Sequence, residues 1–67
     1  MNITVNKKVH TFEGDTMALM SVLDACDLPQ KGIAVAINNK VVRKADWPVT
    51  FVNDGDSVTV IQAVCGG

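Results

Sequence analysis

The sequence predicts an α+β domain, a mixed sheet of four to five strands with one crossover helix. Three observations carry the prediction. β-branched residues dominate, with eleven Val, four Ile and five Thr against three Leu, which favours sheet over helix bundle. Only Met17 to Cys26 combines helix formers with helical spacing of its apolar residues. The order along the chain is strand, strand, helix, then strands. One helix laid on one sheet buries one face of each, and a crossover helix favours a parallel strand pair.

Ile3-Thr4-Val5 alternates and reads as a strand. Asn6-Lys7-Lys8 is a polar turn, and Val9 to Glu13 resumes as the second strand of a hairpin. The phases of Val9 and Phe12 conflict, which predicts a bulge there. Gly14-Asp15-Thr16 breaks the pattern and offers helix N-cap residues. Leu19, Val22, Leu23 and Cys26 then share one helical face. Pro29 disfavours helix at Leu28, so the helix stops near Asp27. Asp24 and Asp27 oppose the helix dipole, so this end is expected to fray.

Ile33 to Ile37 sorts cleanly, with Ile33, Val35 and Ile37 on one face and Ala34 and Ala36 on the other. Asn38-Asn39-Lys40 turns into the short piece Val41-Val42. Arg43 to Asp46 leads to Trp47, where Pro48 blocks continuation. Val49 to Val52 is a further extended run. Asn53-Asp54-Gly55-Asp56 is a strong turn signal. Ser57 to Val64 is the last strand, with Val58 and Val60 inward and Thr59, Ile61 and Ala63 outward. The expected core is Ile3, Val5, Leu19, Val22, Leu23, Ile33, Val35, Ile37, Val58 and Val60, with Phe12 and Phe51 filling its ends. Residues 1–64 form the domain and residues 65–67 a flexible tail.

At 67 residues, 48% hydrophobic, 19% charged and net charge -1, the chain is one small globular domain rather than a disordered one. Near-neutral charge argues against nucleic acid. No apolar stretch approaches a membrane span, and the N-terminus has no signal-peptide core, so a cytoplasmic location is expected. Two cysteines, Cys26 and Cys65, with His10 do not make a zinc or iron–sulfur set, so no metal and no intrinsic cofactor are expected. Free thiols are expected in such a compartment. So small a body encloses no sizeable substrate. A carrier, adaptor or modifier, monomeric when free, fits better than an enzyme.

Three glycines, Gly14, Gly32 and Gly55, punctuate turns, while Gly66 and Gly67 end the chain. At the usual glycine share of about 7%, a terminal Gly-Gly arises by chance roughly once in 200 chains. Lacking Cβ, such an end can thread a narrow channel, with Cys65 and Gly66 passing behind Gly67. Fixing it costs about 1–2 kcal/mol per residue, so the folded face must supply most of the binding energy. Three residues beyond Val64 reach roughly 10 Å. The group delivered is the Gly67 α-carboxylate, anionic at neutral pH and a poor electrophile. Activation as an acyl-adenylate would make it reactive. This chain has no phosphate-binding loop, so a partner must bring the ATP-Mg site. Thr59, Ile61, Ala63, Ala34 and Ala36 form the candidate docking surface, small and flat. The alternatives are an ordinary two-sided sheet and a frayed tail.

Ala34-Val35-Ala36-Ile37-Asn38, Val42 with Arg43-Lys44 and Trp47, Asp54-Gly55-Asp56, Gln62 and Gly66-Gly67 together resemble the ThiS family. These are the sulfur carrier proteins of thiamine biosynthesis, within the ubiquitin-like β-grasp superfamily. The likeness covers about the C-terminal half; the other half fits by pattern. Members frequently place Pro before the basic residue preceding Trp, where this chain has Arg43. The resemblance implies a β-grasp fold and a cycle centred on Gly67. A ThiF-like, E1-like adenylyltransferase adenylates it with ATP-Mg. Sulfur from a persulfide donor displaces AMP and leaves a thiocarboxylate. A ThiG-like thiazole synthase takes the sulfur for the thiazole ring. Alternatives are a sulfur carrier for molybdopterin or another acceptor, a ubiquitin-like protein modifier, and a non-covalent binding module.

The remaining residues read more plainly. Cys65 sits close enough to exchange sulfur with a thiocarboxylate, but also suits a strand end as a small residue. Cys26 is a core filler on the helix stripe. His10 belongs to the sheet surface, Asp54 and Asp56 to a turn rather than a calcium site. Trp47 anchors a satellite core, and Arg43 and Lys44 are solvated.

Overall fold

A computed structural model describes residues 1–28 and 31–62 of the chain. Strand β1 (Asn2–Val5) pairs antiparallel with β2 (Lys8–Thr11). The turn between them holds Asn6 at φ 50° and Lys7 at φ 70°. Two left-handed residues in a two-residue loop match the twist of the strands they join. The register runs without interruption from Val5↔Lys8 to Asn2↔Thr11, so the expected bulge is absent. Phe12 lies beyond the strand, and Val9 simply faces outward at 67% exposure.

Strand β3 (Thr16–Ala18) follows, and helix α1 (Leu19–Ala25) begins two residues later than the sequence suggests. Met17 and Ala18 are good helix formers, but they pair with Val52 and Phe51 of β6 (Phe51–Asn53) in a separate two-stranded sheet. Tertiary pairing overrides local propensity here. The N-cap is Ala18, with no side-chain cap from Asp15 or Thr16. Instead the Leu19 amide donates to the Thr50 carbonyl at 2.9 Å, meeting one orphan donor of the first turn. The other end does not splay as expected. Asp27 adopts φ 59°, its amide donates to Asp24 O at 3.1 Å, and the Leu28 amide to Leu23 O at 2.9 Å. That pair of bonds is a Schellman closure.

Strand β4 (Ile33–Ile37) and β5 (Lys40–Val42) form the second tight hairpin, with Asn38 at φ 50° and Asn39 at φ 69°. Next comes a 3-10 helix over Lys44–Val49, with Pro48 inside it rather than stopping it. The Trp47 indole donates to Val42 O at 3.0 Å, and the residue is only 3% exposed. It therefore belongs to the main core and not to a satellite. Strand β7 (Ser57–Gln62) is described to Gln62; the expected extension to Val64 and the 65–67 tail lie outside the described residues.

The main sheet has five strands in the order β2-β1-β7-β4-β5. Among the described residues only β1 and β7 pair in parallel within it, as the crossover through α1 requires. The fold is the expected α+β mixed sheet with one helix. The core gathers Ile3, Val5, Leu19, Val22, Leu23, Val35, Trp47, Val52 and Val58. Ile33, Ile37, Val60, Phe12 and Cys26 pack against it half-buried. Phe51 is a correction: at 58% exposure it fills no end of the core, because strand alternation in β6 turns it away from the side on which Val52 is buried. Val52 next to it, on the opposite face of β6, is buried in its place.

No helix is long and apolar enough to cross a membrane among the described residues.

Candidate functional site

The helix covers one face of the five-stranded sheet, so the other face is left to solvent or to a partner. Strand parity decides which residues lie there. Ile33, Val35 and Ile37 pair with Gln62, Val60 and Val58 and turn toward α1. Ala34 and Ala36 pair with Ile61 and Thr59 and turn away. Directly opposed side chains sit about 4.5–5.5 Å apart at Cβ. Four of the candidate docking residues are thus a contiguous block on the two innermost antiparallel strands. The fifth, Ala63, lies outside the described residues, as do Cys65, Gly66 and Gly67.

The same parity adds two residues that sequence reading missed. Val41 opposes Ala36 and is 77% exposed. Val9 opposes Thr4 on the outer side of β1. Both were within reach of the sequence. A two-residue turn at Asn38-Asn39 pairs Ile37 with Lys40, and hence Ala36 with Val41. The Asn6-Lys7 turn does the same for Thr4 and Val9.

Ile61, at 59% exposure, lies opposite Ala34 and is the largest apolar side chain the described strands put on this face. The described strands contribute no charged residue to this face: β1 gives Asn2 and Thr4, β2 Val9 and Thr11, β5 Val41, and β7 Ser57, Thr59 and Ile61. Depletion of charge with exposed apolar side chains is the composition of the inner part of a protein–protein interface. The face can dock a protein; among the described residues it presents no Cys, His or charged side chain.

Its geometry is fixed from the far end of the sheet. Asp56 accepts from the Asn53 amide at 2.8 Å and from Asn38 Nδ2 at 3.0 Å. Asn38 Oδ1 accepts from the Ser57 amide at 2.9 Å, and Asp54 Oδ1 from the Asn2 amide at 2.7 Å. Asp54 and Asp56 are therefore turn residues, as expected. Asn6 extends the parallel pairing of β1 and β7 past its backbone limit: its amide donates to Val58 O at 2.9 Å and its Oδ1 accepts from the Val60 amide at 2.7 Å. These bonds hold β7 in register up to the point where the chain runs on toward Gly67.

The other singled-out residues lie elsewhere. His10 is half-buried on the inner side of β2, stacked on Phe12 at 6.3 Å between ring centroids. Cys26 packs at the end of α1, where burial pushes its thiol pKa up and makes it a weaker nucleophile. Arg43 and Lys44 are exposed, and Lys44 Nζ lies 5.9 Å from the centroid of the Trp47 ring. No group of His, Cys, Asp and Glu that could hold a metal occurs among the described residues.

Comparison with known proteins adds the following. The model of the ThiS family matches residues 3–67. The chain is 37% identical over 46 residues to the sulfur carrier protein ThiS of Escherichia coli (strain K12), covering 69% of this chain and 70% of that protein. It superposes on the crystal structure of the thiamine biosynthesis protein ThiS from Geobacter metallireducens with a TM-score of 0.85 and 32% identity, over 100% of both chains. The solution structure of a thiamine biosynthesis protein from the same organism gives a TM-score of 0.76 and 30% identity, over 100% of this chain and 88% of that one.

Proposed function

The chain belongs to the ThiS family, and from that premise we propose that it is a sulfur carrier for thiazole formation in thiamine biosynthesis. The observation that carries the reading is the terminal Gly66-Gly67, which falls inside the span of residues 3–67 that the family model matches. A small body whose described strands put no charged residue on the outer sheet face fits that role.

In this cycle the Gly67 carboxylate attacks the α-phosphorus of ATP on a ThiF-like adenylyltransferase, and pyrophosphate leaves. The outer sulfur of a persulfide donor then attacks the acyl carbon, and AMP leaves. Electron balance requires a further thiol to cleave the resulting S–S bond and free the thiocarboxylate. A ThiG-like thiazole synthase accepts the sulfur, and Gly67 returns to carboxylate. Magnesium and ATP belong to the partner. Thr59, Ile61, Ala34 and Ala36 dock the partner, joined by Val41; Cys65 and Gly66 thread behind Gly67.

The test is intact mass after incubation with ATP-Mg, adenylyltransferase and persulfide donor. One sulfur replacing one oxygen at Gly67 is expected, and the Gly66-Gly67 deletion should neither gain mass nor rescue a thiazole auxotroph. High-mass conjugates would indicate a modifier instead. Rescue of a molybdopterin-carrier mutant alone would assign a different acceptor.

A further inference from the structure

We propose that the helix side of the molecule carries a second docking site, a groove that takes an apolar side chain flanked by acidic residues from a partner protein. The groove measures about 220 Å³ and is lined by Met20 of α1, Lys31 of the α1–β4 connection, and Lys44, Trp47 and Pro48 of the 3-10 helix. It opens on the layer opposite the uncharged sheet face, so both surfaces can be occupied together.

Two observations define the occupant. The first is charge. The whole chain carries net charge -1, yet among the described residues this lining holds two lysines and no acid. The indole Nε1 is already bonded to Val42 O, so the named side chains leave the two ammoniums as their polar donors. Lys44 Nζ, 5.9 Å from the indole centroid, keeps N–H donors for a carboxylate while it lies over the ring. The second is size. Sites for drug-sized ligands run about 300–1,000 Å³; this groove is smaller and has an apolar floor of Met20, Trp47 and Pro48. It fits one Leu or Met side chain, with neighbouring carboxylates within reach of Lys31 and Lys44. Complementary charge of this kind sets specificity and encounter rate.

The test uses the full chain and the lone tryptophan as reporter. A capped Glu-Asp-Leu-Asp-Glu peptide is titrated while the NMR signals of the Trp47 indole N–H and Met20 methyl are followed. Saturating shifts are expected with a Kd of roughly 0.1–1 mM. The neutral Gln-Asn-Leu-Asn-Gln peptide and the Leu-to-Ala peptide should each bind at least about fivefold more weakly. Lys31→Glu with Lys44→Glu should cost the same or more; both positions are exposed, and the paired Gln variants check that the loss follows charge. Equal binding of the neutral peptide, equal binding of the Ala peptide, or no shift would overturn the proposal. So would inorganic phosphate producing the same saturating shifts, which would make the groove a small-anion site. Mass gain at Gly67 is read separately and is unaffected by either result.

Discussion

Asn6 carries two separate loads, and they can be measured apart. Its backbone sits at φ 50°, where a residue with Cβ and no local hydrogen-bonding side chain loses about 1–2 kcal/mol. Its Oδ1 also accepts from the Val60 amide, a bond with a net worth of about 0.5–1.5 kcal/mol. Asn6→Ala should remove both and lower stability by about 1.5–3 kcal/mol. Asn6→Gly keeps the conformation and should lose only the smaller part. Urea denaturation of the three proteins decides it, and equal destabilisation by Gly and Ala would contradict the division. Cys26 offers a pH test at the same scale. Burial raises the folded thiol pKa, so as pH rises the unfolded chain releases its proton first. Its stability contribution is complete below the unfolded pKa and is lost through the alkaline window up to the folded one. The urea midpoint of the parent should therefore fall more between neutral and alkaline pH than that of Cys26→Ala. Parallel curves would show that the thiol is not desolvated.

Helix α1 shows how an element of only seven residues persists through its ends. Isolated helices of that length are unstable; here Leu19, Val22 and Leu23 are fully buried, and both termini are closed by backbone bonds from outside the helical ladder. The closing residue is the weak point. Asp27 takes the left-handed position at φ 59°, where glycine is at ease, and it places an anion at the negative end of the dipole. Asp27→Gly should raise stability by about 0.5–1 kcal/mol, or roughly 4–8 °C per kcal/mol in Tm for a domain of this size. A lower Tm would mean that the Asp carboxylate is needed. The sequence made this helix legible through the spacing of Leu19, Val22, Leu23 and Cys26, but not its start. Met17 and Ala18 are helix formers whose fate is set by a strand far along the chain. The same limit hid Val52. In so short a run as Val49 to Val52 no alternation is visible, and burial comes from pairing with Met17. Trp47 was legible as an anchor but not as core, because its burial comes from the 3-10 helix packing against α1, a contact between segments far apart in the chain. The outer face was legible wherever a strand was long enough to show parity, as in Ala34, Ala36, Thr59 and Ile61. Val41 and Val9 required the turn geometry as well.

At the scale of the whole molecule, the proposed cycle gives the body and the Gly67 carboxylate separable tasks, and that separation is measurable. The proposed cycle draws most of its docking energy from the folded face, since Gly66 and Gly67 present no side chain to bind. Ile61 is the largest apolar side chain on that face, opposite Ala34 on the half of β7 that leads toward Gly67, and the described strands put no charge beside it. Ile61→Asp puts an unpaired carboxylate where a partner must exclude water, at a cost of about 2–3 kcal/mol in a complex. It should leave the free domain within about 1 kcal/mol of the parent, because the side chain is 59% exposed and surface changes are mild. The adenylation reaction then separates docking from chemistry. With the carrier as varied substrate, kcat/KM should fall about 30- to 150-fold, while kcat at saturation stays near the parent value, since Gly67 is untouched. Lys7→Glu, in the β1–β2 turn, should change neither parameter by more than about twofold. A kcat loss at unchanged KM would place Ile61 in the chemical step. A parental kcat/KM would remove the sheet face from the docking surface and return the binding energy to the tail or to the helix side.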